Sequence, residues 1–243
     1  MKIYQSTIAG VAGLILFQSD AGAASISLGS ASSYAVLGSS EVTNTGPTVI
    51  TGDLGVAPGT AITGFPPGIT IGATHTNDTS ANAARADAQQ TYNDLGLLAP
   101  TVDLTGQDLG QTLTPGIFNF DTSAALTGTL VLDGAGDYVF LIGSTLTTSS
   151  GSDISLINGA NAGNVFFRVG SSATLGISSS FAGTIIAEAT ITATTGADIE
   201  GRLLALNGAV NLDSNNVTLI PEPSSAILLC LSGMGLLLKR RRA

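Results

Sequence analysis

A chain of 243 residues is long enough for one domain with a sizeable core. Its 17 acidic residues outnumber its 8 basic residues, and the resulting net charge of −9 argues against nucleic-acid binding because phosphate backbones would be repelled. The only cysteine, Cys230, rules out an internal disulfide, and the only histidine, His75, argues against a metal site built from nitrogen and sulfur ligands.

The N-terminal segment, 1–23, has the three parts of a secretory signal peptide. Lys2 supplies the positive charge, an apolar run extends from about Ile8 to Phe17, and the small residues Ala21-Gly22-Ala23 follow. The apolar run is too short for a membrane span, which needs roughly 20 residues. We therefore expect residues 1–23 to be removed and a secreted domain to begin at Ala24.

After this segment, short apolar runs alternate with turn residues. Thr48-Val-Ile-Thr and Ala61-Ile-Thr are two such runs, and the turns include Thr45-Gly46-Pro47 and Ala57-Pro58-Gly59. This pattern predicts short strands joined by tight turns.

One segment, at about residues 80–95, lacks glycine and proline and is predicted to be a helix. Its apolar residues recur at spacings of three and four, which places them on one helical face: Ala81, Ala84, Ala88, Tyr92 and Leu95. Thr79 or Ser80 can cap the first turn, and Pro100 prevents the helix from continuing. Because this face consists mostly of alanine, we expect the helix to lie close along one flank of the strands.

The second half of the chain contains four stretches with the same order of apolar and polar residues. They begin at Tyr138, Val165, Thr184 and Arg202, and the last three follow one another at nearly equal intervals. A period of about 20 residues, made of short β-type runs and turns, is typical of a β-solenoid. The predicted fold is therefore an all-β dominated solenoid over residues 24–220, with one long α-helix packed alongside.

Within each repeat, a second short strand alternates between apolar and polar residues, which divides it into two sides. The side predicted to face inward comprises Leu146, Thr148, Leu175, Ile177, Ile191, Ala193, Val210 and Leu212. The side predicted to face outward forms two columns, mostly of threonine: Thr145, Thr174, Thr190 and Ala209, and beside them Thr147, Gly176, Thr192 and Asn211. Residues two apart on a strand are separated by about 6.6 Å and stacked strands by about 4.8 Å, so stiff threonine side chains could order water in an ice-like lattice. An ordinary solvated strand face is the alternative.

These segments resemble the microbial ice-binding (antifreeze) protein family, in one order from about Ser25 to Leu219. The similar segments are Ser33-Tyr-Ala-Val-Leu-Gly, Ile50-Thr-Gly-Asp-Leu-Gly-Val, Thr91-Tyr-Asn-Asp-Leu, Leu113-Thr-Pro-Gly-Ile-Phe-Asn-Phe and the run from Phe181 to Asp213. The resemblance implies a discontinuous β-solenoid of triangular section with a helix alongside, and a flat face that adsorbs to the surface of an ice crystal. It also implies inhibition of ice growth or recrystallisation, with no cofactor, no metal and no enzymatic activity. The candidate ice-binding residues are Thr145, Thr147, Thr174, Thr190, Thr192 and Asn211.

Residues 221–243 resemble the PEP-CTERM sorting signal of Gram-negative bacteria. Pro221-Glu222-Pro223 is followed by an apolar stretch from Ala226 to Leu238 and by the basic run Lys239-Arg-Arg-Arg. The resemblance implies recognition by an exosortase, which is a membrane sorting protease, with transient membrane insertion and display or release at a cell surface rich in exopolysaccharide. An uncleaved single-pass anchor is the alternative.

Two further functions compete with ice binding. A non-enzymatic structural or polysaccharide-binding protein of the extracellular matrix would fit the sorting signal. A β-helical polysaccharide-degrading enzyme would need clustered acids with a basic residue, whereas Arg202 is predicted to be a structural partner of an acid such as Glu188 or Glu200. His75 has no evident nucleophile or second catalytic partner, which argues against general-base catalysis.

Overall fold

The computed structural model describes residues 26–220, so the predicted signal peptide and sorting signal lie outside the described residues. Seven strands precede the helix: β1 (Tyr34–Gly38), β2 (Glu41–Thr45), β3 (Val49–Thr51), β4 (Asp53–Val56), β5 (Ala61–Thr63), β6 (Ile69–Ile71) and β7 (Thr74–Thr76). The helix α1 spans Thr79–Leu95.

Fifteen strands follow it within the described range. They are β8 (Val102–Asp103), β9 (Thr112–Leu113), β10 (Gly116–Phe120), β11 (Ala124–Leu126), β12 (Thr129–Asp133), β13 (Tyr138–Ile142), β14 (Leu146–Thr148), β15 (Asp153–Ile157), β16 (Val165–Val169), β17 (Ala173–Leu175), β18 (Ser180–Ala187), β19 (Ile191–Ala193), β20 (Asp198–Ala205), β21 (Val210–Asp213) and β22 (Asn216–Thr218).

The strands form three rows of parallel ladders, which are the three faces of a β-solenoid. The helix face contains, in spatial order, β8, β10, β13, β16, β18, β20, β1, β4 and β7. The short-strand face contains β11, β14, β17, β19, β21, β2 and β5. The third face contains β9, β12, β15, the first halves of β18 and β20, β22, β3 and β6. This architecture confirms the predicted fold class.

The coils do not stack in the order of the sequence. Strand β1 lies between β20 and β4, with Val36 paired to both Leu203 and Leu54, so the N-terminal coils extend the stack beyond the last C-terminal coil. The chain must therefore return from β7 at one end of the helix face to β8 at the other. Nine stacked strands extend over about 38 Å. A helix of 17 residues covers about 25 Å of this distance, so α1 and residues 96–101 together provide the return.

The helix α1 packs on the outward side of the helix face through the predicted apolar residues. Ala84, Ala88, Tyr92 and Leu95 are buried in a cluster with residues of the strands below: Val139, Leu141, Phe166, Ile186 and Leu204. The residue that caps the helix is Asp78, and the prediction of Thr79 or Ser80 is wrong. The Asp78 carboxylate accepts a hydrogen bond from the Ala81 amide at 2.8 Å, which places residues 79 and 80 inside the first turn.

Phenylalanine rings are in contact along the axis inside the solenoid, with the first two pairs below stacked and the third tilted. The ring centroids of Phe118 and Phe140 are 5.1 Å apart, those of Phe140 and Phe167 are 4.5 Å apart, and those of Phe167 and Phe181 are 4.9 Å apart. These rings come from consecutive coils and belong to one core that runs through the domain. The stack therefore holds neighbouring coils together from within.

The predicted alignment of the repeats is confirmed for Tyr138 with Val165 and for Thr184 with Arg202, and it differs from the structure at one place. Thr184 of β18 pairs with Phe166 of β16 and not with Val165, so the predicted register is wrong by one position. Tyr138 does pair with Val165, but the connection between them is longer than in the later coils, because residues 158–164 form an additional loop that includes a short 3-10 turn. This loop accounts for the longer interval between the repeats that begin at Tyr138 and Val165, and the pattern of strand residues does not predict its length.

The predicted pairing of Arg202 with Glu188 or Glu200 is wrong. Gly201 turns the corner between two faces, so Glu200 projects from the third face while Arg202 lies on the helix face. Arg202 is buried and donates hydrogen bonds to the carbonyl oxygens of Ser32 and Ile220.

Between residues 26 and 220, no helix has the length and apolar character to cross a membrane.

Candidate functional site

The short-strand face presents one column of outward residues in direct register across all seven of its strands. The column comprises Ala125, Thr147, Thr174, Thr192, Asn211, Thr43 and Thr63. Seven strands spaced by about 4.8 Å give a column about 29 Å long. Threonine occupies five of these seven positions, and its branched β-carbon restricts the side chain to few rotamers.

All six candidate residues lie on this face, but in a different arrangement from the predicted one. Thr147, Thr174, Thr192 and Asn211 belong to the column just described, which we call the central column. Thr145 and Thr190 each precede a strand of this face and belong to a neighbouring column. The Thr145 hydroxyl donates to Ser123 Oγ at 2.9 Å, and Thr190 Oγ1 accepts from the Ala209 amide at 3.4 Å.

The predicted position of Gly176 is wrong by two positions along the strand. Thr174, not Gly176, pairs with Thr147 and Thr192, so the central column has no glycine in it. Ile177, which was predicted to face inward, is 52% exposed. A shift of two positions keeps every side chain on the same side of a strand, so the alternation of apolar and polar residues cannot detect it.

Sequence analysis also missed two threonines of the central column, Thr43 and Thr63. They lie on β2 and β5, which stack next to β21 although they are far from it in the sequence. The steps Val42-Thr43 and Ile62-Thr63 repeat the apolar–threonine step of Ile191-Thr192. That signal could have placed them, but only once the N-terminal coils were known to continue the same stack.

The hydroxyl groups of the central column differ in their hydrogen bonding. Within residues 26–220, the hydroxyls of Thr147 and Thr174 have no protein partner and are available to water. The Thr43 hydroxyl donates to Asn211 Oδ1 at 2.8 Å, and Asn211 Nδ2 donates to Thr192 Oγ1 at 3.5 Å. Among the described residues, the free hydroxyls of the column therefore lie on β14, β17 and β5.

Charge is distributed unevenly over the three faces. The outward positions of β11, β14, β17 and β19 carry no charged residue, and the carboxylates of the short-strand face, Glu41 and Asp213, lie at the β2 and β21 end. The third face presents Asp153 on β15 and Asp198 and Glu200 on β20, with β18 between these two strands. The helix face is covered by α1. The short-strand face is thus the flat, open and weakly charged side of the solenoid.

The third face holds a shallow depression with a volume of about 480 Å³. The strands β15, β18, β20 and β22 contribute its lining: Ile154, Leu156, Ser180, Phe181, Ala182, Asp198, Ile199, Glu200, Asn216 and Thr218. It combines an apolar wall with carboxylate, amide and hydroxyl groups. Such a combination can bind a polyhydroxylated ligand.

His75 has a structural partner at the start of the helix. Its Nδ1 atom lies 2.7 Å from Asp78 Oδ2. Hydrogen bonds from the Ala81 amide and from His75 hold the pKa of Asp78 below its ordinary value. In the described part of the chain, no cluster of three or more histidine, cysteine or acidic side chains is placed to hold a metal ion.

Comparison with known proteins gives a consistent result. The family model described as "Ice-binding-like" matches residues 36–218. An ice-binding protein of Nostoc sp. (strain HG1) is 52% identical over 236 residues, which cover 90% of this chain and 87% of the relative. An ice-binding protein of Leucosporidium sp. (strain AY30) is 32% identical, and the match covers 92% of this chain and 94% of the relative.

Solved structures show the same similarity. The crystal structure of an ice-binding protein from the Antarctic ascomycete Antarctomyces psychrotrophicus superposes with a TM-score of 0.77 at 47% identity, covering 79% of this chain and 97% of the other. That of an ice-binding protein from an Antarctic biological consortium gives a TM-score of 0.76 at 42% identity, covering 90% and 95% of the two chains.

Proposed function

Because the chain belongs to the ice-binding-like family, we propose that it is an extracellular protein that adsorbs to ice and inhibits ice growth or recrystallisation. The adsorbing surface is the short-strand face, with Thr145, Thr147, Thr174, Thr190, Thr192 and Asn211 among its contacts. The observation that supports this assignment best is the central column, in which threonine fills five of seven stacked positions in one register.

The geometry of the face suits a flat crystalline lattice. Stacked strands repeat at about 4.8 Å and outward residues on one strand at about 6.6 Å, so the threonines form a grid with fixed spacings. Each threonine offers a methyl group and a hydroxyl group, and the hydroxyls of Thr147 and Thr174 are free to bond water. Because parallel ladders and the stacked core rings hold the grid in place, little conformational entropy is lost on adsorption.

The other two faces are less suitable for ice. The helix face is covered by α1. The third face presents the carboxylates Asp153, Asp198 and Glu200, and a carboxylate that leaves bulk water without a partner is strongly disfavoured. The short-strand face avoids both problems along β11, β14, β17 and β19.

A pair of matched tyrosine substitutions tests the assignment. Thr147→Tyr places a ring above the plane of the short-strand face, and Thr129→Tyr makes the same change at an exposed position of the third face. In the protein from residue 24 to 220, we expect thermal hysteresis to be lost in the first variant and retained in the second, with unchanged circular dichroism in both. Equal hysteresis in the two variants would reject the short-strand face, and an inactive wild type would reject ice binding.

The depression on the third face supports a second candidate function, the binding of exopolysaccharide in the extracellular matrix. Asp198 and Glu200 can accept hydrogen bonds from sugar hydroxyls, and Leu156 offers an apolar wall. Co-sedimentation with the producing organism's polysaccharide tests this function, and binding should weaken in Glu200→Gln but not in Thr147→Tyr. The absence of co-sedimentation would remove this candidate.

Secretion and surface sorting complete the proposal. The sequence of residues 1–23 supports export, and Pro221-Glu222-Pro223 with the following apolar and basic residues supports recognition by an exosortase and only transient membrane insertion. Intact-mass measurement of the protein recovered from a Gram-negative host with and without its sorting protease tests both cleavages. We also propose that the protein is not an enzyme, since the face that carries the function is a flat grid and not a pocket.

A further inference from the structure

Asn211 occupies a special position in the central column. It lies on β21, the last C-terminal strand of the short-strand face, and its neighbour in the column is Thr43 on the N-terminal strand β2. Its amide bonds both neighbours, since Oδ1 accepts from Thr43 Oγ1 at 2.8 Å and Nδ2 donates to Thr192 Oγ1 at 3.5 Å. It is the one amide in this column of the described residues, and it stands at the junction of two parts of the chain.

These hydrogen bonds reduce the number of donors and acceptors that the adjacent threonines can present to water. A threonine hydroxyl has one proton, and that of Thr43 is directed to Asn211. The Thr192 oxygen accepts a hydrogen bond from the same side chain at 3.5 Å, while its own proton remains available. Two carboxylates lie close by, because Glu41 is two positions before Thr43 and Asp213 is two positions after Asn211. The free part of the column therefore ends at β19, and Thr63 is isolated beyond the junction.

The side-chain hydrogen bond of Asn211 reinforces the junction, which has four paired positions between β2 and β21. Asn211 and Thr43 are separated by 168 residues in the sequence, so their contact closes a very long loop of chain. On the helix face the same junction is made by only two paired positions, Val36 with Leu203 and Leu37 with Leu204. A side-chain hydrogen bond across β21 and β2 adds to the backbone ladder at this point.

We propose that Asn211 is a positioning residue that stabilises the junction between the N-terminal and C-terminal coils and, by binding Thr43 and Thr192, limits the extent of the ice-contact column. This inference rests on the proposed ice-binding function. In this proposal the Asn211 side chain increases the stability of the fold but reduces the extent of the surface that adsorbs to ice. It also predicts that the face can be extended by a single substitution.

The substitution Asn211→Thr tests the inference. It would join Thr147, Thr174 and Thr192 to Thr43 and Thr63, which lengthens the uninterrupted run from three threonines to six. We expect thermal hysteresis above that of the wild type at equal concentration, together with a melting temperature lowered by about 2–4 °C for the loss of one hydrogen bond's worth of stability. A merely structural role would lower the melting temperature and leave hysteresis unchanged or reduced.

Asn216→Thr is the matched control. Asn216 is exposed on the third face and donates to Asp198 Oδ1 at 3.2 Å, so the same chemical change there removes a comparable hydrogen bond away from the column. Hysteresis in this variant should equal that of the wild type. If Asn211→Thr folds and its hysteresis does not exceed that of the wild type, the inference is overturned.

A second pair of variants keeps the inference testable should Asn211→Thr not fold. Thr43→Val removes a hydroxyl that Asn211 already holds, so it should reduce hysteresis less than Thr174→Val, which removes a free hydroxyl. Equal losses in both variants would contradict the inference. Failure of the proposed function is distinguishable, because it would appear as an inactive wild type or a fully active Thr147→Tyr variant.

Discussion

Replacing one phenylalanine of the axial stack by leucine provides a quantitative test of how the solenoid is held together. Phe140 is fully buried and its ring lies between those of Phe118 and Phe167, at 5.1 and 4.5 Å. Phe140→Leu keeps most of the buried volume but removes both ring pairs, each of which contributes about 0.5–1.5 kcal/mol beyond burial. We expect a loss of about 1–3 kcal/mol in the free energy of unfolding, compared with about 3–5 kcal/mol for Phe140→Ala.

Phe166→Leu is the control for this prediction. Phe166 is also buried, on the next strand of the same face, but its side chain packs toward α1, and no ring pair is found for it among the described residues. A swap that nearly conserves volume, without loss of a ring pair, should cost less than about 1.5 kcal/mol.

Urea unfolding followed by circular dichroism measures the free energies of all three variants. A loss of about 2 kcal/mol would also lower the melting temperature by about 4–8 °C. If Phe140→Leu is no more destabilising than Phe166→Leu, ring stacking contributes nothing beyond burial, and the reasoning is refuted.

Two further predictions concern the start of the helix and a corner of the coil. The pKa of Asp78 is lowered, so the stability it contributes is present above its ordinary pKa of about 4 and is lost as the pH falls through the lowered value. Melting temperatures measured at decreasing pH should therefore fall less steeply in Asp78→Asn, and equal slopes would exclude this contribution. Gly201→Ala should be strongly destabilising in thermal melts, because its φ is +151° and a β-carbon there would overlap the carbonyl oxygen of Gly183. Gly151→Ala, with φ +67° and open space around the new atom, should cost only about 1–2 kcal/mol, and a comparable loss in both variants would count against the steric argument.

Much of the fold could be predicted from the sequence because its signals are local. The alternation of apolar and polar residues identified the strands, and the spacing of alanines in residues 81–95 identified the helix and its buried side. The stacking order could not be predicted in the same way. The neighbour of β20 is β1, and their contact depends on a return of the chain along α1 that no local pattern reports.

The candidate site shows the same limit at a finer scale. Alternation assigns a residue to the inside or the outside of a strand, and all six candidate residues lie on the short-strand face as predicted. Alternation does not determine which outward residue of one strand pairs with which outward residue of the next. Thr174 and Gly176 have the same parity, so the correct partner of Thr147 followed only from the backbone pairing. The threonines of β2 and β5 could not be included for the further reason that their strands precede the repeats in the sequence.

The division of the solenoid into three unlike faces resolves a conflict in the requirements of the proposed ice-contact surface. A flat, weakly charged sheet suits adsorption, but such a surface also favours association between protein molecules. Residues 26–220 contain fifteen acidic residues and three arginines, and this net negative charge opposes association between molecules. The carboxylates Asp153, Asp198 and Glu200 project from the third face, whereas the central column from Ala125 to Thr192 has none. Charge that would disturb an ordered water layer is thereby placed where it still provides repulsion, so the part of the short-strand face from β11 to β19 can remain uncharged without favouring association.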